Sequence, residues 1–95
     1  YRAPSDMERA ALDDLVASLN ALPADADAET IQTEVYEIGK RHDFENLRDW
    51  FKALYEVLLG QSQGPRFGSF VALYGKDETV DLVTRVLAGE SAVAE

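Results

Sequence analysis

The chain has 95 residues, 46% of them hydrophobic, and a formal net charge of −9. This length suits one small domain with a real core, and it excludes an enzyme that encloses its substrate. The hydrophobic fraction excludes a disordered chain, and the lack of cysteine excludes disulfides and thiolate metal sites and favours the cytoplasm. No apolar run approaches the ~18 residues of a membrane span, and no signal-peptide pattern is found. Because the first residue is Tyr1, we expect a piece of a longer protein.

The charges are distributed unevenly along the chain. Residues 1–38 carry nine acids and two bases, residues 39–76 carry four acids and six bases, and residues 77–95 are acidic again. Since phosphate binding needs Lys and Arg, the net charge by itself argues against a nucleic-acid partner. The mildly basic middle third permits a local anionic partner without requiring one.

Three helices are predicted in the first 60 residues. Apolar residues at helical spacing follow the capping box SDME at residues 5–8, and Pro23 ends this first helix. A second helix is predicted over residues 28–42, and Asp43 is expected to cap a third, which stops at Gly60. The predicted inward-facing residues of these helices are Leu12, Leu15, Val16, Leu19, Leu22, Ile31, Val35, Ile38, Leu47, Trp50, Phe51, Leu54 and Leu58.

Two further helices complete the predicted fold. Pro65 is placed at the first position of the fourth helix, and Gly75 at its end. The fifth helix begins near Asp77 and stops at Gly89, and residues 90–95 are expected to be a frayed tail. Their predicted apolar residues are Phe67, Phe70, Val71, Tyr74, Val80, Val83, Val86 and Leu87. We therefore expect a monomeric, all-α five-helix bundle, one domain over residues 1–95, with breaks near 23–27, 43, 60–65 and 75–76.

The sequence offers little support for catalysis or metal binding. His42, the single histidine, ends the second helix, where we expect a solvated cap that interacts with the helix dipole. The carboxylate pairs Asp13/Asp14 and Asp25/Asp27 are expected to be solvated. No phosphate-binding glycine fingerprint or nucleophile elbow is found. No catalytic residue, metal ligand or cofactor is predicted within this chain.

A candidate RNA-binding surface begins on the third helix. Arg48, Lys52 and Tyr55 fall together on one shoulder of its inward face. These residues also have an ordinary interpretation, in which Lys52 pairs with Glu56, Arg48 pairs with Glu45, and Tyr55 seals the edge of the core. Taken by itself, the shoulder favours the ordinary interpretation. It leads directly into the segment that follows, and the two together favour binding.

The segment GQSQGPRFGSF, at residues 60–70, joins the third helix to the fourth. Gly64-Pro65 forces an extended turn and then opens a helix, so we expect unpaired backbone N–H groups to point outward at its start. Such a helix start accepts phosphates or base carbonyl oxygens, and Arg66 adds positive charge.

The side chains of this segment suit single-stranded RNA. Gln61 and Gln63 can donate and accept hydrogen bonds at base edges, and Tyr55 or Phe67 could stack on a base. The predicted RNA-binding residues are Arg48, Lys52, Tyr55, Gln61, Gln63, Gly64, Pro65, Arg66 and Phe67.

Residues 34–83, EVYEIGKRHDFENLRDWFKALYEVLLGQSQGPRFGSFVALYGKDETVDLV, closely resemble the C-terminal end of class I lysyl-tRNA synthetases. The most specific parts are LLGQSQGPRFGSF and LYG. The resemblance implies a helical cage domain that grips the anticodon stem-loop of lysine tRNA. It also implies that ATP and Mg are used for lysine activation in a separate Rossmann-type catalytic domain of the same chain. The signatures of that domain, of the HIGH and KMSKS type, are not found in this sequence.

Glutamyl-tRNA synthetases end in a similar unit, whose loop and proline contact the anticodon. By position, this implicates Gly64, Pro65 and Phe67. Some relatives carry an arginine where this chain has Tyr55, and the lysine assignment depends on GPRFGSF. Phe67 is assigned to base stacking or to the core, and Phe70 to the core. The alternatives are a glutamyl-type module and a purely structural or protein-interaction bundle.

Overall fold

The chain folds into helices joined by short loops. The structure, a computed structural model, describes residues 3–42 and 44–89. The described helices are α1 (Asp6–Ala21), α2 (Ala28–Arg41), α3 (Leu47–Leu54), α4 (Phe67–Tyr74) and α5 (Lys76–Leu87), and α3 continues directly into a π-helical turn, Tyr55–Leu59. No described residue lies in a β-strand. The predicted all-α fold with five helices is confirmed, and the frayed tail predicted at 90–95 lies outside the described residues.

Side-chain caps begin the first two helices. The predicted capping box is formed, because Glu8 N donates to Ser5 Oγ at 3.3 Å and Ser5 N donates to Glu8 Oε1 at 2.9 Å. Asp27 begins α2, and its carboxylate accepts a hydrogen bond from Thr30 N at 2.8 Å. Both caps satisfy N–H groups that no carbonyl of their own helix can reach.

Helix α3 begins later than predicted and ends as predicted. Asn46 caps it, accepting from Asp49 N at 3.1 Å, whereas the predicted cap, Asp43, lies outside the described residues. At the other end Gly60 adopts φ 71° and ψ 23°, in the left-handed region that glycine tolerates. Its N–H and that of Gln61 both donate to Tyr55 O, which closes the π-helical turn.

We predicted Pro65 as the first residue of α4, and this prediction is wrong. The helix begins two residues later, at Phe67, and Arg66 before it is extended, with φ −53° and ψ 128°. Proline restricts the residue before it more than the residue after it, so its place in the sequence did not decide where the helix starts. Gly75, at φ 112°, separates α4 from α5, which confirms the predicted break.

The core lies between two helix pairs, because α1 packs along α5 and α2 packs along α4. Its buried residues are Ala11, Leu12, Leu15, Leu19, Ile31, Val35, Ile38, Trp50, Leu54, Val57, Leu58, Phe67, Val71, Leu82, Val83 and Val86. Several residues that we predicted to be inward are only partly buried, namely Val16, Leu22, Leu47, Phe51, Phe70, Val80 and Leu87, and Tyr74 is exposed. The α3 face is therefore rotated from the predicted one, toward Trp50, Ala53 and Val57.

Trp50 explains the rotation of α3. Its indole is fully buried, and Nε1 donates to Val35 O at 3.0 Å, across to α2. Gly39 leaves the space for it, since a Cβ at Gly39 would lie 2.6 Å from Trp50 Cδ1. A large ring that fits against a glycine determines which face of α3 turns inward.

Asp14 and His42 were expected to be solvated, but their side chains form hydrogen bonds within the protein. Asp14 Oδ2 accepts from Arg41 Nη2 at 3.0 Å and lies 3.1 Å from His42 Nε2, and its other oxygen accepts from Ser18 Oγ. Although burial opposes it, the hydrogen bonds from His42 and Arg41 hold the pKa of Asp14 below its ordinary value of 3.8. The carboxylate thus joins α1 to the C-terminal end of α2.

No described helix has the combined length and apolar character needed to cross a membrane.

Candidate nucleic-acid interface

Tyr55 supports the segment that joins α3 to α4. Its hydroxyl donates to Pro65 O at 2.6 Å, and a Cβ at Gly64 would lie 3.3 Å from Tyr55 Cδ1. Burial, with a smaller contribution from Tyr36, raises the pKa of Tyr55 above its ordinary value of 10.0, so the phenol remains a donor at neutral pH. The ring is partly buried beneath the loop. Tyr55 therefore holds residues 60–66, the 60–66 loop, in one shape.

The 60–66 loop is exposed along its whole length. The Gln61 and Gln63 side chains make no hydrogen bond to any described residue, so their amides are available to a ligand. The loop presents two amides on a backbone that is held at its start, where Gly60 N donates to Tyr55 O, and near its end, where Pro65 O accepts from the Tyr55 hydroxyl.

Arg48 and Lys52 are exposed on α3, and Lys52 lies three residues before Tyr55. Neither cation forms an ion pair within residues 3–42 and 44–89, so the alternative pairs with Glu45 and Glu56 are not formed. Two unpaired cations beside an exposed loop are suited to bind phosphates.

Arg66 differs from these cations because it already has a partner. Its Nη1 lies 2.5 Å from Glu29 Oε1 on α2, and both side chains are exposed. The predicted positive charge is present at the end of the loop but is partly balanced by this carboxylate. Such an exposed pair contributes little to stability, so a phosphate could compete for the guanidinium.

Phe67 cannot stack on a base in this structure, which corrects one of its two predicted roles. Its side chain, at the first position of α4, is 0% exposed and lies in the core. The ring contacts Phe70, with centroids 5.7 Å apart, and Phe70 in turn stacks on Tyr74 at 5.1 Å. Because the helix starts at residue 67 and not at 65, this side chain points into the bundle.

The N–H groups at the start of α4 were predicted to point outward, but not all of them do. Gly68 N donates to Gln32 Oε1 at 2.6 Å, inside the contact between α2 and α4. Gln32 was not among the residues predicted from the sequence. A polar residue directly after Ile31, on the inward side of an otherwise apolar helix face, was the available signal.

The structure therefore brings Tyr55, Gly64 and Pro65 into contact, and it draws Arg66 and Phe67 toward α2 and the core. The described residues contain no group of three His, Cys, Asp or Glu that could hold a metal ion.

Residues 2–87 match the profile of the anticodon binding domain family. The chain belongs to this family. It is 59% identical over 90 residues to a lysine–tRNA ligase of Roseobacter denitrificans, an alignment that covers 95% of this chain and 17% of the relative. A lysine–tRNA ligase of Rickettsia bellii is 49% identical over 87 residues, covering 92% and 17%. One of Rickettsia felis is 48% identical over 83 residues, covering 87% and 16%.

This anticodon binding domain spans about one sixth of the length of the curated relatives it matches. No solved structure matches the chain. The family match includes the whole of α1, whereas the resemblance found in the sequence covered residues 34–83. The acidic first helix is therefore an integral part of the domain, as its packing on α5 also indicates.

Proposed function

We propose that this chain is the anticodon-binding domain of a lysine–tRNA ligase and that it binds the anticodon stem-loop of lysine tRNA. The observation that carries the proposal is the family match over residues 2–87. The proteins it resembles at 45–59% identity are named lysine–tRNA ligases. The exposed 60–66 loop, preceded on α3 by two cations that form no ion pair with a described residue, is a surface of the right chemistry.

The finer proposal is that the domain is the C-terminal part of a class I enzyme. The resemblance of residues 34–83 supports it, and an all-α fold supports it further, because that resemblance implied a helical cage. We place the use of ATP and Mg for lysine activation in a separate catalytic domain of the full-length chain. The part of this chain that the structure describes contributes binding and orientation of the tRNA.

The loop amides suit the bases of a lysine anticodon, which is rich in uridine. Uracil presents two carbonyl oxygens that accept hydrogen bonds and one N–H that donates. Each glutamine amide can both donate and accept, so Gln61 and Gln63 can meet such an edge. Both amides are unpaired within the described residues, and no intramolecular hydrogen bond of theirs must break before binding.

The charge distribution limits where RNA can bind. The chain carries a net charge of −9, and much of the acidity lies in α1 and α5. Phosphates are repelled from those helices and attracted to Arg48 and Lys52. Acidic flanks of this kind improve orientation more than affinity, because like charges disfavour docking geometries that bring phosphates onto them.

A binding titration tests the proposal. The chain should bind a lysine tRNA anticodon stem-loop in a mobility-shift assay and should bind a glutamate stem-loop more weakly. Gln61→Ala should weaken lysine stem-loop binding by about fivefold, as expected for one lost hydrogen bond to a base. Asn20→Ala, which removes an exposed amide on α1, is the matched control and should leave the affinity unchanged.

Two outcomes would contradict the proposal. Tighter binding of the glutamate stem-loop would indicate a glutamyl-type module with the same fold. No binding to either RNA, with the chain folded, would indicate a structural or protein-interaction bundle and would make the basic shoulder an ordinary solvated surface.

A further inference from the structure

Helix α4 begins without a capping side chain from its own segment. Arg66 precedes the helix, and its side chain pairs with Glu29 and not with the free N–H groups of the first turn. Those groups have no carbonyl partner inside the helix. The cap comes from α2 instead, since Gly68 N donates to Gln32 Oε1 at 2.6 Å across 36 residues of sequence.

Gln32 is a buried amide in an otherwise apolar contact. It is 5% exposed, and Thr79 is the only other buried polar residue among those the structure describes. A polar group at such a place is costly unless it is hydrogen-bonded. Ile31 and Val35, the buried residues on either side of Gln32 in the sequence, are both apolar, so the amide is the exception on this face of α2. Its amide has a role that an apolar side chain would not supply.

Gly68 brings the two helices close enough for this hydrogen bond. A Cβ at Gly68 would lie 2.4 Å from Ala28 O and 2.8 Å from Gln32 Cβ, distances that real Cβ atoms do not show. Any larger residue would push the start of α4 away from α2. The glycine and the amide together fix the first turn of α4 at one position on α2.

The 60–66 loop is thereby held at both ends. At its start Gln61 N donates to Tyr55 O at 3.2 Å, and just beyond its end Gly68 N donates to Gln32. Residues 62–64 between these points make no hydrogen bond to any described residue. The middle of the loop is free for a ligand, and its direction is determined by the two ends.

We propose that Gln32 is a positioning residue for anticodon binding, which acts by fixing the start of α4 and hence the path of the 60–66 loop. The inference depends on the proposed function, and it adds a residue that would itself touch no RNA. A loop that is ordered before binding loses less conformational entropy when the RNA arrives. Without the amide, the first turn of α4 has an unsatisfied N–H and shifts among several positions.

Two isosteric variants separate positioning from general stability. Gln32→Met removes the acceptor at similar length, and Thr79→Val removes the part-buried hydrogen bond from Thr79 Oγ1 to the O of Gly75, the residue before α5. Both are compared at a temperature at which circular dichroism shows both fully folded. Gln32→Met should weaken lysine stem-loop binding about fivefold, as for the loss of one buried hydrogen bond, and Thr79→Val should stay within about twofold of wild type. Equal losses would make Gln32 an ordinary core residue and would overturn the inference.

Amide exchange of Gly68 gives a second readout that does not require the Met variant to fold. In the free wild-type chain this amide should exchange as slowly as the buried amides of α2, and Gln32→Glu, which retains an acceptor, should keep it slow. Fast exchange in the free chain that becomes slow only with stem-loop bound would show that the RNA orders the helix start, and the inference would be wrong. A wild-type chain that binds no stem-loop would instead refute the proposed function itself.

Discussion

The hydroxyl of Tyr55 is the single atom whose removal best tests the proposed interface. It donates to Pro65 O at 2.6 Å, and the same ring lies against Gly64. Tyr55→Phe deletes this hydrogen bond and keeps the ring, so the packing beneath the 60–66 loop is retained. The change therefore alters how firmly the loop is held, while the aromatic ring of Tyr55, the loop amides and the two cations on α3 are all retained.

The magnitude follows from the worth of one neutral hydrogen bond, about 1 kcal/mol, or a factor of about five in a population ratio. Suppose that the loop holds its bound shape half of the time without RNA. A fivefold fall in the ratio of bound-shape to other conformations then lowers the bound-shape population about threefold, and the apparent affinity for RNA falls by the same factor. Fivefold is the upper limit of the affinity loss.

The bond also requires the protonated phenol, whose pKa is raised by burial. Its stabilising effect is therefore present at neutral pH and is lost as the pH rises through that raised value.

The assay is a stem-loop titration of the wild-type chain, Tyr55→Phe and Tyr36→Phe at one salt concentration. Tyr36 is the matched control, because its ring packs edge-on against Phe51 and its hydroxyl makes no hydrogen bond to a described residue. We expect an affinity loss of about threefold for Tyr55→Phe and no loss for Tyr36→Phe.

Two results would refute this reasoning. If Tyr55→Phe binds as tightly as wild type, the loop does not need the hydroxyl, and Tyr55 merely fills space at the core edge. If the affinity falls by far more than fivefold, the hydroxyl contacts the RNA directly, and the orientation of Tyr55 toward Pro65 is not the one used in binding.

Three further predictions concern charge, packing and pH. Arg48→Gln and Lys52→Gln should each flatten the dependence of log affinity on log salt by about 0.7 to 0.9, because each would release one phosphate contact. Gly68→Ala should lower the free energy of unfolding in urea by about 3 kcal/mol, since its Cβ would meet Ala28 O at 2.4 Å. Asp14→Asn should cost roughly 1 kcal/mol at pH 7. Because the pKa of Asp14 is lowered in the folded state, this difference from wild type should shrink as the pH falls below about 4.

Each of these predictions has a control. Arg85→Gln, on acidic α5, should not change the salt slope, and an equal change there would indicate non-specific attraction. Gly64→Ala places its Cβ 3.3 Å from the movable Tyr55 ring and should cost less than Gly68→Ala; the reverse order would contradict the close α2–α4 contact. Asp13→Asn, on the exposed side of α1, should show no comparable pH dependence. If it does, the stabilising carboxylate is not the one beside His42.

Much of the candidate site could be predicted because its signals are local. Gly60 adopts the left-handed conformation that ends α3, and Gln61 and Gln63 are exposed in the loop that follows. Arg48 and Lys52 lie on the exposed side of α3, as helical spacing predicted. Whether any of these residues contacts RNA stays a prediction.

The predictions that were wrong concern residues whose contacts come from parts of the chain far away in the sequence. Two roles were predicted for Phe67, and its burial in the core leaves only one. Arg66 was expected to face a ligand alone, but it pairs with Glu29, 37 residues away. The start of α4 was expected to be open, but Gln32 caps it from another helix.

The sequence by itself determined the number of helices, most of their ends and the position of the exposed loop. Caps, prolines and glycines act on backbone groups within a few residues, so their effects can be predicted without knowing the fold. Helical periodicity identifies residues that share a face, but it does not say which face of another helix they will meet. The tertiary structure decided that Gly39 admits Trp50 and that Gly68 admits the backbone of α2, because only packed helices bring those atoms together.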